Sequence, residues 1–166
     1  QGYSSAASDV YKRQMLGNGE EVMLAATDLL AETKVAPELS NEAHYYRAKA
    51  YLDAGKVEGA MDDLKILAKD TRNIYGAEAK YKVAQIYFDA GQTGQAEKEV
   101  LDYIEVSTPH TYWLARSFVL LSDVYMKLGR NLDAKQYLLS LKQNYQADDD
   151  IAGMIESRLN KLNAEN

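Results

Sequence analysis

Three times along this chain a tyrosine is followed four residues later by glycine and nine residues later by alanine. The sets are Tyr51, Gly55, Ala60; Tyr87, Gly91, Ala96; and Tyr125, Gly129, Ala134. The tyrosines stand 36 and then 38 residues apart, about the length of one supersecondary unit. Self-similarity at this period constrains the fold more than composition does, because each unit buries its apolar face only by stacking on a neighbour.

Each set reads as a helical hairpin. Helix-period stretches precede the tyrosines, from Ala43 to Tyr51 and from Ala79 to Tyr87. Ala48, Ala84 and Ser122 sit three residues before each tyrosine, on its side of the helix, where a neighbour can approach closely. Glycine then stops the helix, since it enters the left-handed region without steric cost. The alanine falls early in a second helix, where a larger side chain would force the hairpin apart. Apolar residues follow at three- and four-residue steps: Leu64 and Leu67, Val100 and Ile104, Leu138 and Leu141.

The small residue, tyrosine, glycine and alanine set resembles the tetratricopeptide repeat (TPR) family over roughly residues 19 to 146. The resemblance implies an all-α fold of tandem antiparallel helical hairpins, stacked as a TPR-like right-handed superhelical solenoid. Departures are plain. His44, Lys80 and Phe118 replace the family's early tryptophan, Arg47 replaces its first leucine, and Pro109 is the sole counterpart of its closing proline. The stretch from Thr108 through Trp113 to Leu139 also looks like the last repeats of large, many-repeat proteins of the Gram-negative envelope. Trp113 itself reads as an inter-repeat wedge.

Ser4 to Gln14 can be back-translated, codon by codon, into the adapter that transposase-based sequencing libraries attach to DNA. Residues 1–14 are therefore expected to be a non-native scar, to be set aside before function is read. Ser8-Asp9-Val10-Tyr11 repeats Ser122-Asp123-Val124-Tyr125, so a helical segment is expected there in a calculated structure. The expected division is 15–40 as a half repeat, 41–74, 75–108 and 109–146 as three units, and 147–166 as a capping helix and tail. The half repeat, with its helix at Gly19 to Thr33, would be the second helix of a truncated unit and leave an apolar edge that invites self-association.

Without the scar the chain has 17 basic and 24 acidic residues, a net charge of −7. An acidic chain repels phosphate backbones and argues against a nucleic-acid partner. No run of about 18 apolar residues appears, so no membrane span is expected in this fragment. Absence of cysteine removes disulfides, thiolate nucleophiles and cysteine zinc sites, and leaves the compartment open.

Linkers are short. Pro37 and Ser40-Asn41 separate the half repeat from unit one, with Ser40 as a helix start; Thr71 to Tyr75 joins units one and two. Thr108 is expected to cap the third unit's first helix, with Pro109 and His110 in its first turn. Asp148-Asp149-Asp150 reads as dipole-complementing acid before the last helix rather than a calcium or magnesium site, since no shaped loop surrounds it. Neither His44 nor His110 has a cysteine or a second histidine nearby in sequence to make a transition-metal constellation. With no nucleophile motif and no phosphate loop, no enzymatic activity, cofactor, metal or small-molecule substrate is expected.

Binding has better candidates. In the family, first helices line a concave groove, and the resemblance implies which positions do so here. They are Tyr45, Lys49 and Leu52 in unit one, Tyr81, Gln85 and Phe88 in unit two, and Val119, Asp123 and Met126 in unit three. Leu52, Phe88 and Met126 read equally as groove or as packing between first helices; Tyr45 and Tyr81 are the expected exposed contacts. The basic clamp with which some relatives grip chaperone tails is not assembled by Tyr45, Lys49, Lys82, Arg116 and Leu120. The expected function is a non-catalytic scaffold for a protein or peptide, in a bacterial periplasmic or outer-membrane-associated assembly. The alternatives are a purely structural segment that stacks on further repeats or self-associates, and a cytoplasmic adaptor.

Overall fold

The structure, a computed structural model, describes residues 18–165, and among these every regular element is an α-helix. There are eight: α1 (Gly19–Leu30), α2 (Pro37–Asp53), α3 (Val57–Leu67), α4 (Ile74–Asp89), α5 (Thr93–Ile104), α6 (Thr111–Lys127), α7 (Asn131–Asn144) and α8 (Ile151–Ala164). The helical segment expected within residues 1–14 lies outside the described residues. The chain divides into two compact units, with the boundary inside α4 between Ala79 and Lys80.

The recurring glycines do what their spacing demands. Gly55, Gly91 and Gly129 have φ of +74°, +78° and +74°. In each turn the glycine N–H donates to the residue after the tyrosine: Leu52, Phe88 or Met126. The next N–H then reaches back to the tyrosine carbonyl, from Lys56 to Tyr51, Gln92 to Tyr87 and Arg130 to Tyr125, at 2.8–2.9 Å. This pair of bonds satisfies the last carbonyls of the helix and reverses the chain. Ala60, Ala96 and Ala134 are fully buried, so the second helix can lie close against the first.

In the N-terminal unit, α1 packs on α2 and α2 on α3. Asn18 caps α1 by accepting from the Glu21 N–H at 3.2 Å. Part of the apolar stripe of α1 is covered by the helix that follows it. Ala26 and Leu29 are buried with Ala43 of α2, and Leu39 and Tyr46 pack around them. Helix α2 also starts earlier than Ser40. Pro37 opens it, because a ring-fixed φ suits the first helical position and the missing N–H is not needed there. Asn73 starts α4, accepting from the Tyr75 N–H at 2.8 Å, so Tyr75 is helical and not part of a linker. The adjoining Gly76 is obligatory: a Cβ there would stand 1.9 Å from the Asp70 carbonyl oxygen.

In the C-terminal unit, α5 packs on α6, α6 on α7, and α8 on both α6 and α7. Tyr103, Leu120, Leu121, Leu138, Ile151 and Ile155 form its fully buried centre. Helix α6 begins at Thr111, later than expected, with His110 at the cap position. Thr108 accepts from the His110 N–H at 3.1 Å and so caps a turn before the helix; Pro109 lies outside it. Asp149 accepts from the Ile151 N–H at 2.9 Å and starts α8, which leaves the aspartate run in its expected structural role.

One intra-hairpin contact recurs at the positions where the family's tryptophan is missing. His44 Nδ1 lies 2.7 Å from Asp63, Lys80 Nζ 3.0 Å from Glu99, and the Phe118 ring 6.1 Å from Tyr137. Each pair is separated by 19 residues. The first is the most buried. Asp63 is 1% exposed and also takes a two-point contact from Arg47, Nε at 2.8 Å and Nη2 at 2.6 Å. Arg47 extends to Thr27 of α1 at 3.0 Å, so one guanidinium ties three helices together.

Two expectations can be measured here. Gly91→Ala forces a side chain into the left-handed region and should lower stability by about 1–2 kcal/mol. Gly94→Ala, in a helix with no atom within 4 Å of the new methyl, should raise stability by up to about 1 kcal/mol. Urea titration of both variants tests the turn, and equal effects would refute it. For Asp63, burial alone would raise its carboxyl, but the bonds from Arg47 and His44 outweigh burial and hold it below the ordinary 3.8. The unfolded chain therefore binds the proton more readily. The stabilisation is full above about pH 4 and disappears as pH falls through the lowered folded-state value. Asp63→Asn should cost about 3 kcal/mol at neutral pH and flatten the dependence of melting temperature on pH below about 4.

Candidate functional site

The turn geometry fixes where the groove candidates stand. Leu52, Phe88 and Met126 each give their carbonyl to the helix-ending glycine, so their side chains leave the last full turn of α2, α4 and α6. In the C-terminal unit, Phe88 and Met126 meet Asp123 around one open cavity of about 500 Å³. Lys127, at the end of α6, Lys161, from the last turn of α8, and Glu165, just after it, complete its lining. Three of the nine groove candidates are thus brought together, on the side of α4 and α6 that α8 also faces.

Polar groups near this cavity are largely engaged. Asp123 accepts from Arg158 of α8 at two points, Nε at 2.7 Å and Nη2 at 2.9 Å. Gln85 accepts from the Tyr81 hydroxyl at 2.9 Å and donates to Asp89 at 2.7 Å. Lys127 and Lys161 have no carboxylate partner among the described residues.

Two candidates belong to the core instead. Tyr81 is 6% exposed, not the open contact expected of it. Its ring lies 5.7 Å from that of Trp113, and the Arg116 guanidinium covers it at 4.9 Å while donating to its hydroxyl at 3.0 Å. Trp113 thereby fills the wedge position between α4 and α6. Val119 is likewise buried, packed in the centre of the unit. Tyr87, which the motif places in the core, is only half-buried, whereas Tyr125 is the buried member of the set. Burial, with Tyr137 and Glu97 nearby, pushes the Tyr125 hydroxyl up to about 12.

Arg116 organises the far end of this face. Besides Tyr81 it donates to the Tyr112 hydroxyl at 2.9 Å, and Tyr112 donates to Asp150 at 2.9 Å. Asp89, Gln85, Tyr81, Arg116, Tyr112 and Asp150 form an unbroken chain of hydrogen bonds from α4 through α6 to the start of α8.

In the N-terminal unit, Tyr45, Lys49 and Leu52 are all half-buried. The Tyr45 ring lies 4.6 Å from Tyr75 and meets Tyr46 edge-on at 5.4 Å, with Lys49 over its face at 5.7 Å. Its hydroxyl reaches Glu78 at 3.3 Å, and burial followed by that carboxylate raises it well above an ordinary phenol. The result is an aromatic cluster with the Lys49 ammonium over one of its rings. No cluster of metal-ligating side chains occurs among the described residues. None of their helices is long and apolar enough to cross a membrane.

The sequence reading missed Arg158, Lys161 and Glu165. Their signal was present: α8 continues the helical period after a third hairpin, and a helix in that place presents one face to α6. The partners Asp63, Glu99 and Tyr137 were readable too, as the residues nineteen after each replaced tryptophan.

No protein-family model matches the chain, and no curated relative matches it. Solved structures do. MamA superposes with a TM-score of 0.60 at 20% identity, covering 93% of this chain and 94% of that one. TPR-like repeats of a Podosopora anserina protein named for kinesin light chain give 0.57 at 16% identity, covering 97% and 93%. A point-substituted form of the same repeats gives 0.59 at 15% identity, covering 97% and 92%. The fold is therefore that of TPR-like repeat proteins. At these identities the likeness carries the fold and not a partner.

Replacing Tyr112 by Phe removes the hydrogen-bonded link from Arg116 to Asp150 and leaves only their direct 3.9 Å ion pair. We expect a loss of about 0.5–1.5 kcal/mol in urea titration. Amide exchange should speed up in the first turn of α8 and stay unchanged in α5; a uniform change would show that the chain of bonds does not anchor α8.

Proposed function

We propose that the chain is a non-catalytic scaffold that holds a protein or peptide partner against the first-helix face of its repeats. The observation that carries this reading is the cavity where Phe88, Asp123 and Met126 come together. It is open, it combines an aromatic and a flexible thioether side chain with a few charges, and it lies on regular helices. That mixture suits an extended segment or a partner helix better than a small molecule, which needs enclosure. The Tyr45, Tyr46 and Tyr75 surface is a second contact region of the same kind in the N-terminal unit. The likeness of the last repeats to many-repeat envelope proteins supports a periplasmic or outer-membrane-associated setting, with a cytoplasmic adaptor as the alternative.

A second reading has its own observation. Leu132 and Leu139 of α7 are exposed, at 71% and 46%, and a purely structural segment could use them to stack on other repeats. A photo-reactive phenylalanine analogue at position 126 or at position 132 separates the two. Crosslinks to a partner from 126 and not from 132, with unchanged melting, are expected. The reverse pattern would replace the groove reading by the stacking one.

A further inference from the structure

Resting on that reading, the cavity in the C-terminal unit also indicates the chemistry of what it holds. Each acidic group on α4 and α6 near the cavity has a partner from within the unit. The Asp123 carboxylate is bound at both oxygens by Arg158. Asp89 is bonded to Gln85, whose carbonyl is in turn used by Tyr81. Among the described residues lining the cavity, only Glu165, at the edge, is an acid without such a partner. The two cations lining the cavity are in the opposite state: Lys127 and Lys161, both exposed, have no ion-pair partner among the described residues. A chain of net charge −6 thus presents, over Phe88 and Met126, two uncommitted ammonium groups.

We propose that this cavity binds an internal acidic segment of a protein partner, one large apolar side chain resting on Phe88 and Met126 and flanking Asp or Glu side chains meeting Lys127 and Lys161. The source is an internal segment rather than a chain end for a geometric reason. A terminal carboxylate is best gripped by a planar fork, and the one guanidinium adjoining the cavity, Arg158, is already spent on Asp123. Two separate ammonium groups on α6 and α8 act as independent point charges. They suit two carboxylates carried by separate residues of a segment better than the single carboxylate of a terminus.

Selection from a randomised twelve-residue library tests this, with peptides displayed either between fixed flanks or with a free carboxyl end. The full chain is compared with its Lys127→Glu/Lys161→Glu variant. Both positions are exposed, and thermal unfolding checks that the variant is folded. We expect the flanked library to yield peptides with one large apolar residue and two or more acids. Charge reversal should weaken those peptides about tenfold and shift selection toward Lys and Arg. Neutral or basic peptides on the wild-type chain, selection unaltered by charge reversal, or enrichment only with a free carboxyl end would each overturn the acidic-segment proposal and leave the groove reading standing. No enrichment in either library would overturn both.

Discussion

The three tyrosine–glycine hairpins turn on one backbone event: a left-handed glycine lets the N–H of the next residue close onto the carbonyl of the tyrosine five residues before it. That closure sets three things at once. It satisfies the last carbonyls of the first helix, fixes the direction in which the second leaves, and brings a buried alanine five residues later against the first. Because Gly55, Gly91 and Gly129 take the same conformation within 4°, the hairpins share an exit geometry although their side chains differ. Side chains one residue after each tyrosine then emerge at equivalent places, which is why Phe88 and Met126 meet at one cavity.

Within that frame the contact between the two helices of a hairpin is free to change its chemistry. At one equivalent position the chain uses a buried carboxylate between histidine and arginine, then a half-buried lysine–glutamate pair, then two aromatic rings. The aromatic pair needs only area and packs half-buried against the C-terminal core. The charged pairs need every bond satisfied, since a buried ion without its partner costs more than the pair contributes. Arg47 meets that need with two bonds to Asp63 and a third to Thr27. The same economy of partners appears at Arg116, where a single guanidinium is shared by two tyrosines on different helices.

How much of this was legible beforehand follows from the range of the interactions involved. The turns and the small-residue positions were readable, because Tyr51 with Gly55 and Ala60 is a local pattern whose physics is complete within ten residues. Helix starts were less so. Pro37 looks like a separator because proline breaks helix interiors, yet at the first helical position its missing N–H is not needed; Thr108 has a capping side chain but bonds the turn before the helix. Tyr81 was misplaced for a different reason. A helical period shows that it lies on the first-helix face, but its burial depends on Trp113 and Arg116, which arrive from the next hairpin. Val119 is buried on the same account, by α6 lying between two neighbours. The helical period from Ile151 to Leu162 places a helix there, but the repeat pattern ends before it and so gives Arg158 and Lys161 no site role.

Net charge is therefore a poor guide to what the C-terminal face presents. Acidic composition argues against phosphate-backbone partners only if the acids are free to act on a ligand, and here several are not. Asp123, Asp89 and Asp150 are each bonded within the unit, to Arg158, Gln85 and Tyr112. What a close-approaching segment meets is the set of groups left over, while the summed charge acts mainly at long range and is screened within about a Debye length of 8–10 Å. Partner choice at contact distance then depends on which side chains α8 contributes. A helix whose buried face closes the core through Ile151, Ile155, Leu159 and Leu162 also places Arg158 and Lys161 beside Asp123 and Met126. Under the proposed groove reading α8 serves the core and the cavity together, and the two roles cannot be varied independently: shortening α8 to expose more groove would release Asp123 and remove the excess positive charge that the cavity offers.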